Sequence, residues 1–333
     1  MLPKISIITP TLNSERTLSE YFRCIVNQKY PKDRVEVIII DQESEDKTIS
    51  IAKRYSKKIN LRIITYKVRD GPDAPRLIGF SKAKNDIVCV LDSDNYIHDS
   101  NWLKRMVLPM SEDENLVGSF TLHYEHDPKQ TLFNRYVGLF GVLDSVVPYL
   151  EKNDRQKITV ESWPHKSQVI KDGKGYQIVK FNNENFPTLG SNGFLVRKKY
   201  IDHNKYRPEE FFHTDILYDL IDQGLNKYAV VHTNLLHDTS ASIGMLLRKR
   251  IDYMTLNHVN LHSLRRYKVF DSSKKKDIVN LVKYIFFTVT FVEPLLQSIK
   301  GYLKVRDGAW FFHPIGCWIF MIGYSYATLR NKL

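Results

Sequence analysis

Two carboxylates separated by one serine follow an apolar run in the first third of the chain. Asp92-Ser93-Asp94 comes directly after residues 87–91, which are five consecutive apolar residues. A run without alternation predicts a strand buried on both faces, as in a parallel sheet. Because side chains repeat with a period of two along a strand, Asp92 and Asp94 point the same way and repel unless a cation intervenes. Mg²⁺ or Mn²⁺, bridging to substrate phosphates, would be a suitable cation. The structural alternative is a turn that caps the next helix.

Three more apolar strands are predicted ahead of this one, at residues 4–9, 35–40 and 61–67, and a helix follows each. This alternation predicts an α/β fold with a Rossmann-like, doubly wound, mostly parallel sheet. The strand ends deliver a set of polar side chains to one edge of that sheet, where open α/β folds bind nucleotides. The set comprises Thr9, Thr11, Asp41, Asp92 and Asp94.

The turn after the first strand lacks the glycine-rich sequences that bind phosphate in dinucleotide-binding proteins and P-loop enzymes. It reads Thr9-Pro10-Thr11-Leu12-Asn13. The phosphates must therefore be neutralised in another way, and an ion held by the aspartates is the natural candidate. A carboxylate such as Asp41 can accept from a base N–H or a ribose hydroxyl.

Later parts of the chain are less regular. The pattern predicts one or two helices over 131–150, a hairpin around residues 172–175, a strand through Val196, a helix over 213–223 and a last strand over 228–232.

The last part of the chain, residues 241–333, is both basic and apolar. It holds 15 Lys and Arg against 5 Asp and Glu, which accounts for +10 of the formal net charge of +12. It begins with a predicted basic helix pair over 242–267, followed by the apolar segments 278–302 and 309–329, of which the second is long enough to span a bilayer. Membrane contact is expected, by spanning or by lying in the interface, and packing of both segments on the sheet domain is the soluble alternative.

Two stretches of the first half resemble the family 2 glycosyltransferases, which are inverting enzymes with the GT-A fold. Residues 6–15 look like the opening strand and nucleotide-wrapping loop of that family, and residues 37–48 like its second-strand motif. Asp41, Ser44, Asp46 and Thr48 match this second motif, whereas Gln42 and Glu43 depart from it. Asp92-Ser93-Asp94 matches the family's Asp-x-Asp.

The resemblance implies a role for each matching residue. Contacts to the nucleotide sugar are expected from Thr9, Thr11, Asn13, Glu15, Asp41, Arg76, Asp92 and Ser93. Asp92, Asp94 and His237 are the expected ligands of Mg²⁺ or Mn²⁺, although a plain structural histidine is the alternative for His237. Asp215 matches the family's general base, with Thr214 in place of a glutamate, and a helix N-terminal acid is the alternative. Gly190, Ser191 and Asn192 resemble the acceptor-side segment.

The sequence thus predicts three regions: a nucleotide-sugar-binding half at 1–105, an acceptor-binding half at 106–240 and a helical membrane-associated region at 241–333. The expected activity is metal-dependent transfer of a sugar, with inversion, from a UDP- or GDP-type donor to a hydroxyl of a lipid-linked or other glycan acceptor. The expected location is the cytoplasmic face of a membrane, and three dispersed cysteines are consistent with that reducing compartment.

Two other functions compete with this prediction. A polyprenyl-phosphate sugar synthase would use a phosphate as acceptor and need no strong base. A non-catalytic nucleic-acid-binding module would use the basic third, but its basic residues alternate with membrane-like apolar stretches rather than stacking platforms, so no nucleic acid partner is expected.

Overall fold

The computed structural model describes residues 1–69, 71–239, 243–255 and 264–330. Its strands are β1 (Ile5–Thr11), β2 (Val35–Asp41), β3 (Asn60–Thr65), β4 (Ile87–Val90), β5 (Asn95–Tyr96), β6 (Gly118–Tyr124), β7 (Val169–Gly173), β8 (Tyr176–Lys180), β9 (Phe194–Arg197) and β10 (Lys227–His237). Its helices are α1 (Glu15–Val26), α2 (Thr48–Tyr55), α3 (Asp73–Lys82), α4 (Trp102–Glu112), α5 (Leu132–Phe140), α6 (Val146–Tyr149), α7 (His213–Asp222), α8 (Ile243–Tyr253), α9 (Lys275–Thr290), α10 (Val292–Lys304) and α11 (Phe312–Arg330).

The chain divides into two compact units. The sheet unit comprises Met1–Leu122, Ser162–Glu184 and Leu189–Asp238, and the helical unit comprises His123–Glu161, Asn185–Thr188 and Thr239–Leu333. Residues 123–161 therefore belong with the C-terminal helices, whereas the sequence grouped them with the rest of 106–240. Which residues bind donor and which bind acceptor stays a prediction.

Four parallel strands form one half of the sheet, in the order β3-β2-β1-β4. The register pairs Thr11 with Asp41 and Ile8 with Val90, so the carboxyl ends of β1, β2 and β4 meet at one edge. Every residue of β1 is buried, as expected for a strand that lies between two others and is covered on both faces. The four predicted strands and their order of alternation with α1–α3 are confirmed.

Beyond β4 the sheet also contains antiparallel pairs, so it is a mixed sheet. β9 pairs antiparallel with β4 and with β6, and the predicted hairpin β7–β8 pairs antiparallel with β10 through β8. β10 continues five residues beyond the predicted end at residue 232, to His237, because its last residues pair with the two-residue strand β5. A strand as short as β5 leaves no periodic signal in the sequence.

In the helical unit, the apolar segment that begins near residue 278 is broken in two. Phe291 takes a left-handed conformation with a φ of 60°, and α9 and α10 meet there at a bend of 78°. Pro294 lies in the first turn of α10, where its missing N–H costs no helical hydrogen bond.

None of the described helices is by itself both long and apolar enough to cross a bilayer, although α9 and α10 taken together reach that length and composition. The first helix of the predicted basic pair is α8, and the second falls largely on residues 256–263, outside the described residues.

Candidate active site

Asp41 is the centre of a hydrogen-bonded turn at the ends of β1 and β2. Its Oδ1 accepts from the Thr11 hydroxyl at 2.9 Å and from the Ser44 hydroxyl at 2.6 Å, and its Oδ2 accepts from the Ser44 backbone N–H at 2.9 Å. Asp41 and Thr11 are both buried. Three donors to one carboxylate hold it in a single orientation.

The loop after β1 and the loop after β2 bind each other through reciprocal hydrogen bonds. Asn13 donates from its backbone N–H to the Ser44 hydroxyl and accepts from the Glu45 N–H through its side chain, each at 2.9 Å. Glu15 donates to Asp46 at 2.9 Å. Burial raises the pKa of Asp46, but hydrogen bonds from Thr48 and from backbone N–H groups outweigh it and the pKa is lowered. The matching motif residues therefore build the loop wall of the site.

Thr9 does not reach the surface of this site. It is fully buried, and its hydroxyl pairs with the hydroxyl of Tyr21 on α1. The period of two along β1 turns Thr9 and Thr11 to the same face, but the strand end frees only Thr11 to meet Asp41. The Thr9 hydroxyl is therefore engaged in a core contact, and its contact to the nucleotide stays a prediction.

A buried ion-pair network joins Asp92 to the start of α7. Arg76 on α3 donates from Nη2 to both oxygens of Asp92 at 2.8 Å, and from Nη1 to Asp73 at 2.9 Å. His213, the first residue of α7, has its Nδ1 2.6 Å from the same Asp73 carboxylate. Burial opposes ionisation of Asp73, yet His213 and Arg76 hold its pKa well below the usual range. Burial also opposes ionisation of Arg76, which by itself would lower its pKa. The carboxylates of Asp92 and Asp73 outweigh burial and raise the pKa of Arg76.

Asp94 faces the end of β10 instead. Its Oδ2 lies 3.5 Å from Nε2 of His237, and its backbone carbonyl accepts from the N–H of Asp238 at 2.8 Å. Asp238 in turn accepts from Arg16 at 2.6 Å and from the Tyr96 hydroxyl at 3.1 Å. An oxygen and an imidazole nitrogen 3.5 Å apart can share one ion at about 2.1 Å from each, with phosphate or water in its other positions. The pair therefore fits a divalent metal.

Asp92, in contrast, has both carboxylate oxygens bound by one guanidinium. The pairing with Arg76 satisfies the charge that a metal would otherwise compensate. The contacts favour Asp94 and His237 over Asp92 as a pair that could share an ion, and the metal contact of Asp92 stays a prediction. Ser93 lies between them, and its hydroxyl donates to Ser14 at 3.1 Å, which ties this turn to the loop after β1.

The loop Gly190-Ser191-Asn192-Gly193 directly precedes β9 and contacts both the end of β4 and the start of α7. Gly193 donates to the carbonyl of Val90 at 2.8 Å, and Gly190 approaches the carbonyl of His213 so closely that a Cβ would lie 3.0 Å from it. With a φ of 116°, Gly190 also has a conformation that other residues rarely adopt. Asp215 lies in the first turn of α7, two residues after His213, and is fully buried.

The structure therefore brings the predicted residues to one edge of the sheet unit, apart from Thr9. Sequence reasoning missed Asp73, His213, Arg16 and Asp238. Asp73 precedes Arg76 by one helical turn and Asp238 follows His237, so their positions beside predicted site residues are the only local signal. His213 meets Asp73 across 140 residues, and no spacing reveals such a pair.

Comparison with known proteins gives the family of the chain. The sequence model described as Glycosyl transferase family 2 matches residues 6–192, more than half of the chain. Poly(ribitol-phosphate) beta-N-acetylglucosaminyltransferase TarS of Staphylococcus aureus is 35% identical over 96 residues, which cover 28% of this chain and 17% of TarS. The probable glycosyltransferase YdaM of Bacillus subtilis is 30% identical over 41% of this chain and 34% of its own length. The chain thus spans far less than two thirds of these relatives.

Solved structures agree on the fold. The mannosyltransferase PcManGT of Pyrobaculum calidifontis, solved with GDP-Man and Mn²⁺, has a TM-score of 0.58 at 12% identity, over 100% of this chain and 89% of its own. The glucosyl-3-phosphoglycerate synthase of Mycobacterium tuberculosis, solved with Mn²⁺ and UDP-glucose, has a TM-score of 0.50 at 17% identity over 81% of both chains. The fold is thus the GT-A fold, and with the sequence match over residues 6–192 the chain belongs to glycosyl transferase family 2.

Proposed function

We propose that this chain transfers a sugar, with inversion, from a nucleotide-diphosphate sugar to a hydroxyl of a glycan acceptor. The observation that carries the proposal is the Arg76 network, which joins the Asp-x-Asp turn to the helix that bears Asp215. The donor-side turn is thereby joined to His213, the first residue of the helix whose first turn carries Asp215.

The donor side consists of the Asp41 turn and the Asp94–His237 pair. Asp41 would accept from the base or ribose, in a position that its three hydrogen bonds fix. Asp94 and His237 would hold Mg²⁺ or Mn²⁺, which when bound offsets the charge of the leaving diphosphate. The presence of Mn²⁺ with GDP-Man or UDP-glucose in the two structural neighbours supports this reading for a UDP- or GDP-type donor.

The acceptor side consists of the loop 190–193 and Asp215. The acceptor oxygen forms a bond to the anomeric carbon while the bond from that carbon to the diphosphate oxygen breaks, and the nucleoside diphosphate leaves with the electron pair. The acceptor proton passes to the Asp215 carboxylate, which acts as general base. Attack opposite the leaving group inverts the anomeric configuration.

The acceptor is proposed to be a lipid-linked glycan, and the protein to work at the cytoplasmic face of a membrane. The basic and apolar composition of residues 241–333 supports this part of the proposal. A polyprenyl-phosphate sugar synthase remains the second candidate, because the same surface would serve a lipid phosphate acceptor.

The experiment is a comparison of Asp215→Asn with Asp219→Asn, one turn later on α7 and only partly buried. Donors are first screened by thermal shift with UDP- and GDP-sugars, with and without Mn²⁺. Asp215→Asn should lower kcat by about a thousandfold and leave donor affinity unchanged, because only proton transfer is lost. Asp219→Asn should keep its activity.

Three outcomes would count against the proposal. Unchanged turnover in Asp215→Asn defeats the base assignment, and transfer to plain polyprenyl phosphate that is insensitive to Asp215 selects the synthase instead. If none of the nucleotide sugars shifts the melting temperature, the donor class itself is wrong.

A further inference from the structure

Helices α9 and α10 turn their large apolar side chains outward and their polar or small ones inward. On α9 the buried residues are Asp277, Asn280, Tyr284 and Thr288, and on α10 they are Pro294, Ser298 and Gly301. A surface helix of a water-soluble protein has the opposite distribution. Small and polar residues at helix contacts, with apolar residues facing outward, are typical of helices surrounded by lipid.

The exposed apolar side chains of the two helices and of the residue at their bend are here called the α9–α10 surface. Its members are each 39 to 62% exposed: Ile278, Val279, Val282, Ile285, Phe286, Val289, Phe291, Val292, Leu295, Leu296, Ile299 and Leu303. Meanwhile the inner faces are engaged within the helical unit. Tyr284 donates to the carbonyl of Cys317 at 2.7 Å and Ser298 to that of Trp310 at 2.8 Å. The orientation of both helices is therefore fixed by polar contacts on their inner side.

Basic residues are concentrated toward the outer ends of the two helices, and the charged residues between them are Lys283 on α9 and the half-buried Glu293, which accepts from Tyr149 and Gln297. Lys275 and Lys276 begin α9, Lys300 and Lys304 lie within the last five residues of α10, and Arg306 follows that helix, all of them exposed. The exposed apolar residues are densest around the bend. This distribution complements a bilayer with anionic head groups, because the ends would meet the phosphates and the middle the acyl chains.

We infer that α9 and α10 insert together into one leaflet of an anionic membrane, with the bend at Phe291 deepest. Helices of 16 and 13 residues are about 24 and 20 Å long. With a bend of 78°, each descends about 12 to 15 Å from its basic end, which is one leaflet of a hydrocarbon core about 30 Å thick. Lys283, on the exposed side of α9, can extend its ammonium group toward the head groups. This inference deepens the membrane association proposed above by naming the surface and its depth.

The first test is binding to vesicles, measured without donor or acceptor. The double variant Phe286→Glu/Val292→Glu places two charges on the α9–α10 surface at side chains 62 and 61% exposed, so the fold should tolerate it. Flotation with vesicles of phosphatidylglycerol and phosphatidylcholine in equal parts should show affinity reduced about tenfold or more. Ile170→Glu, at an exposed position of β7, is the matched control and should bind like the wild type. Vesicles of phosphatidylcholine alone should bind the wild type more weakly.

The second test measures depth. The emission of an environment-sensitive fluorophore attached to Val292→Cys should shift to the blue when the mixed vesicles are added. Quenchers placed deep in the bilayer should reduce that emission more than the emission of the same fluorophore on Leu303→Cys. The fluorophore on Ile170→Cys should not respond to vesicles. The native cysteines are buried, which favours labelling at the introduced ones. Equal binding of the double variant and the wild type would overturn the inference. So would a blue shift that follows protein concentration without vesicles, because a second copy of the chain would then cover the surface.

Transfer to a short water-soluble glycan acceptor is assayed in parallel. The double variant should retain it, because neither position belongs to the sheet unit. If the double variant loses vesicle binding but retains transfer, the surface and the activity are separate properties. If the wild type binds vesicles but transfers no sugar, the membrane surface stands and the proposed activity is refuted.

Discussion

Arg76 binds both carboxylate oxygens of Asp92 through one nitrogen, 2.8 Å from each, inside a site where both side chains are largely removed from water. The same guanidinium binds Asp73, which also contacts His213. One arginine thus fixes three elements: the end of β4, the start of α3 and the start of α7. Several consequences can be measured.

Arg76→Lys should be severely impaired although it keeps the charge. A guanidinium binds Asp92 and Asp73 at the same time through its rigid fork of N–H donors, and a lysine ammonium has no such fork. We expect kcat/KM to fall about a hundredfold and the free energy of unfolding to fall by about 1 to 3 kcal/mol. Arg105→Lys is the control, since Arg105 forms an exposed pair with Asp99. A melting temperature and activity like those of wild type would show that the network does not position the site.

Removal of divalent metal should abolish transfer, and added Mn²⁺ should restore it. Asp94→Asn and His237→Ala should each raise the Mn²⁺ concentration for half-maximal activity by about tenfold or more, because each removes one of two proposed protein ligands. His232→Ala, on the same strand, should leave it unchanged. If the enzyme keeps full activity after the divalent metal is chelated, the metal is not required and His237 has a structural role instead.

Lys157 should make stability of the helical unit depend on pH. Burial lowers its pKa to about 8, and the side chain donates to Gln297 and lies 5.1 Å from the centre of the Phe140 ring. An unfolded lysine has a pKa of about 10.4, so between pH 8 and about pH 10 the unfolded state binds more protons. Stability therefore rises with pH across that window, and below pH 8 the full destabilisation of about 3 kcal/mol is present.

Lys157→Met should remove this dependence and stabilise the protein at pH 7, because methionine keeps the apolar stem without the charge. The measurement is the melting temperature of wild type and variant from pH 7 to about pH 10. Lys129→Met, at an exposed position of the same unit, should follow the wild-type curve. Parallel curves for wild type and Lys157→Met would contradict the assignment.

Local patterns in the sequence determined the parallel half of the sheet and the positions of its polar ends. Runs of apolar residues encode strands buried on both faces, and the residue after each run must lie at the sheet edge, so Asp41, Asp92 and Asp94 could be placed before any coordinates. Pro294 is a local signal for the break between α9 and α10, because proline cannot continue a helix from the preceding turn.

Tertiary structure alone decided which of those side chains meet. Asp92 and Asp94 are equivalent in the sequence, yet the first binds Arg76 and the second faces His237, because α3 and β10 approach the turn from different sides. The direction in which α9 turns its apolar face was likewise undetermined, since a helical pattern defines two faces but not which of them packs. Long-range contacts made that choice: Tyr284 reaches Cys317 across 33 residues, and the apolar face was left outward.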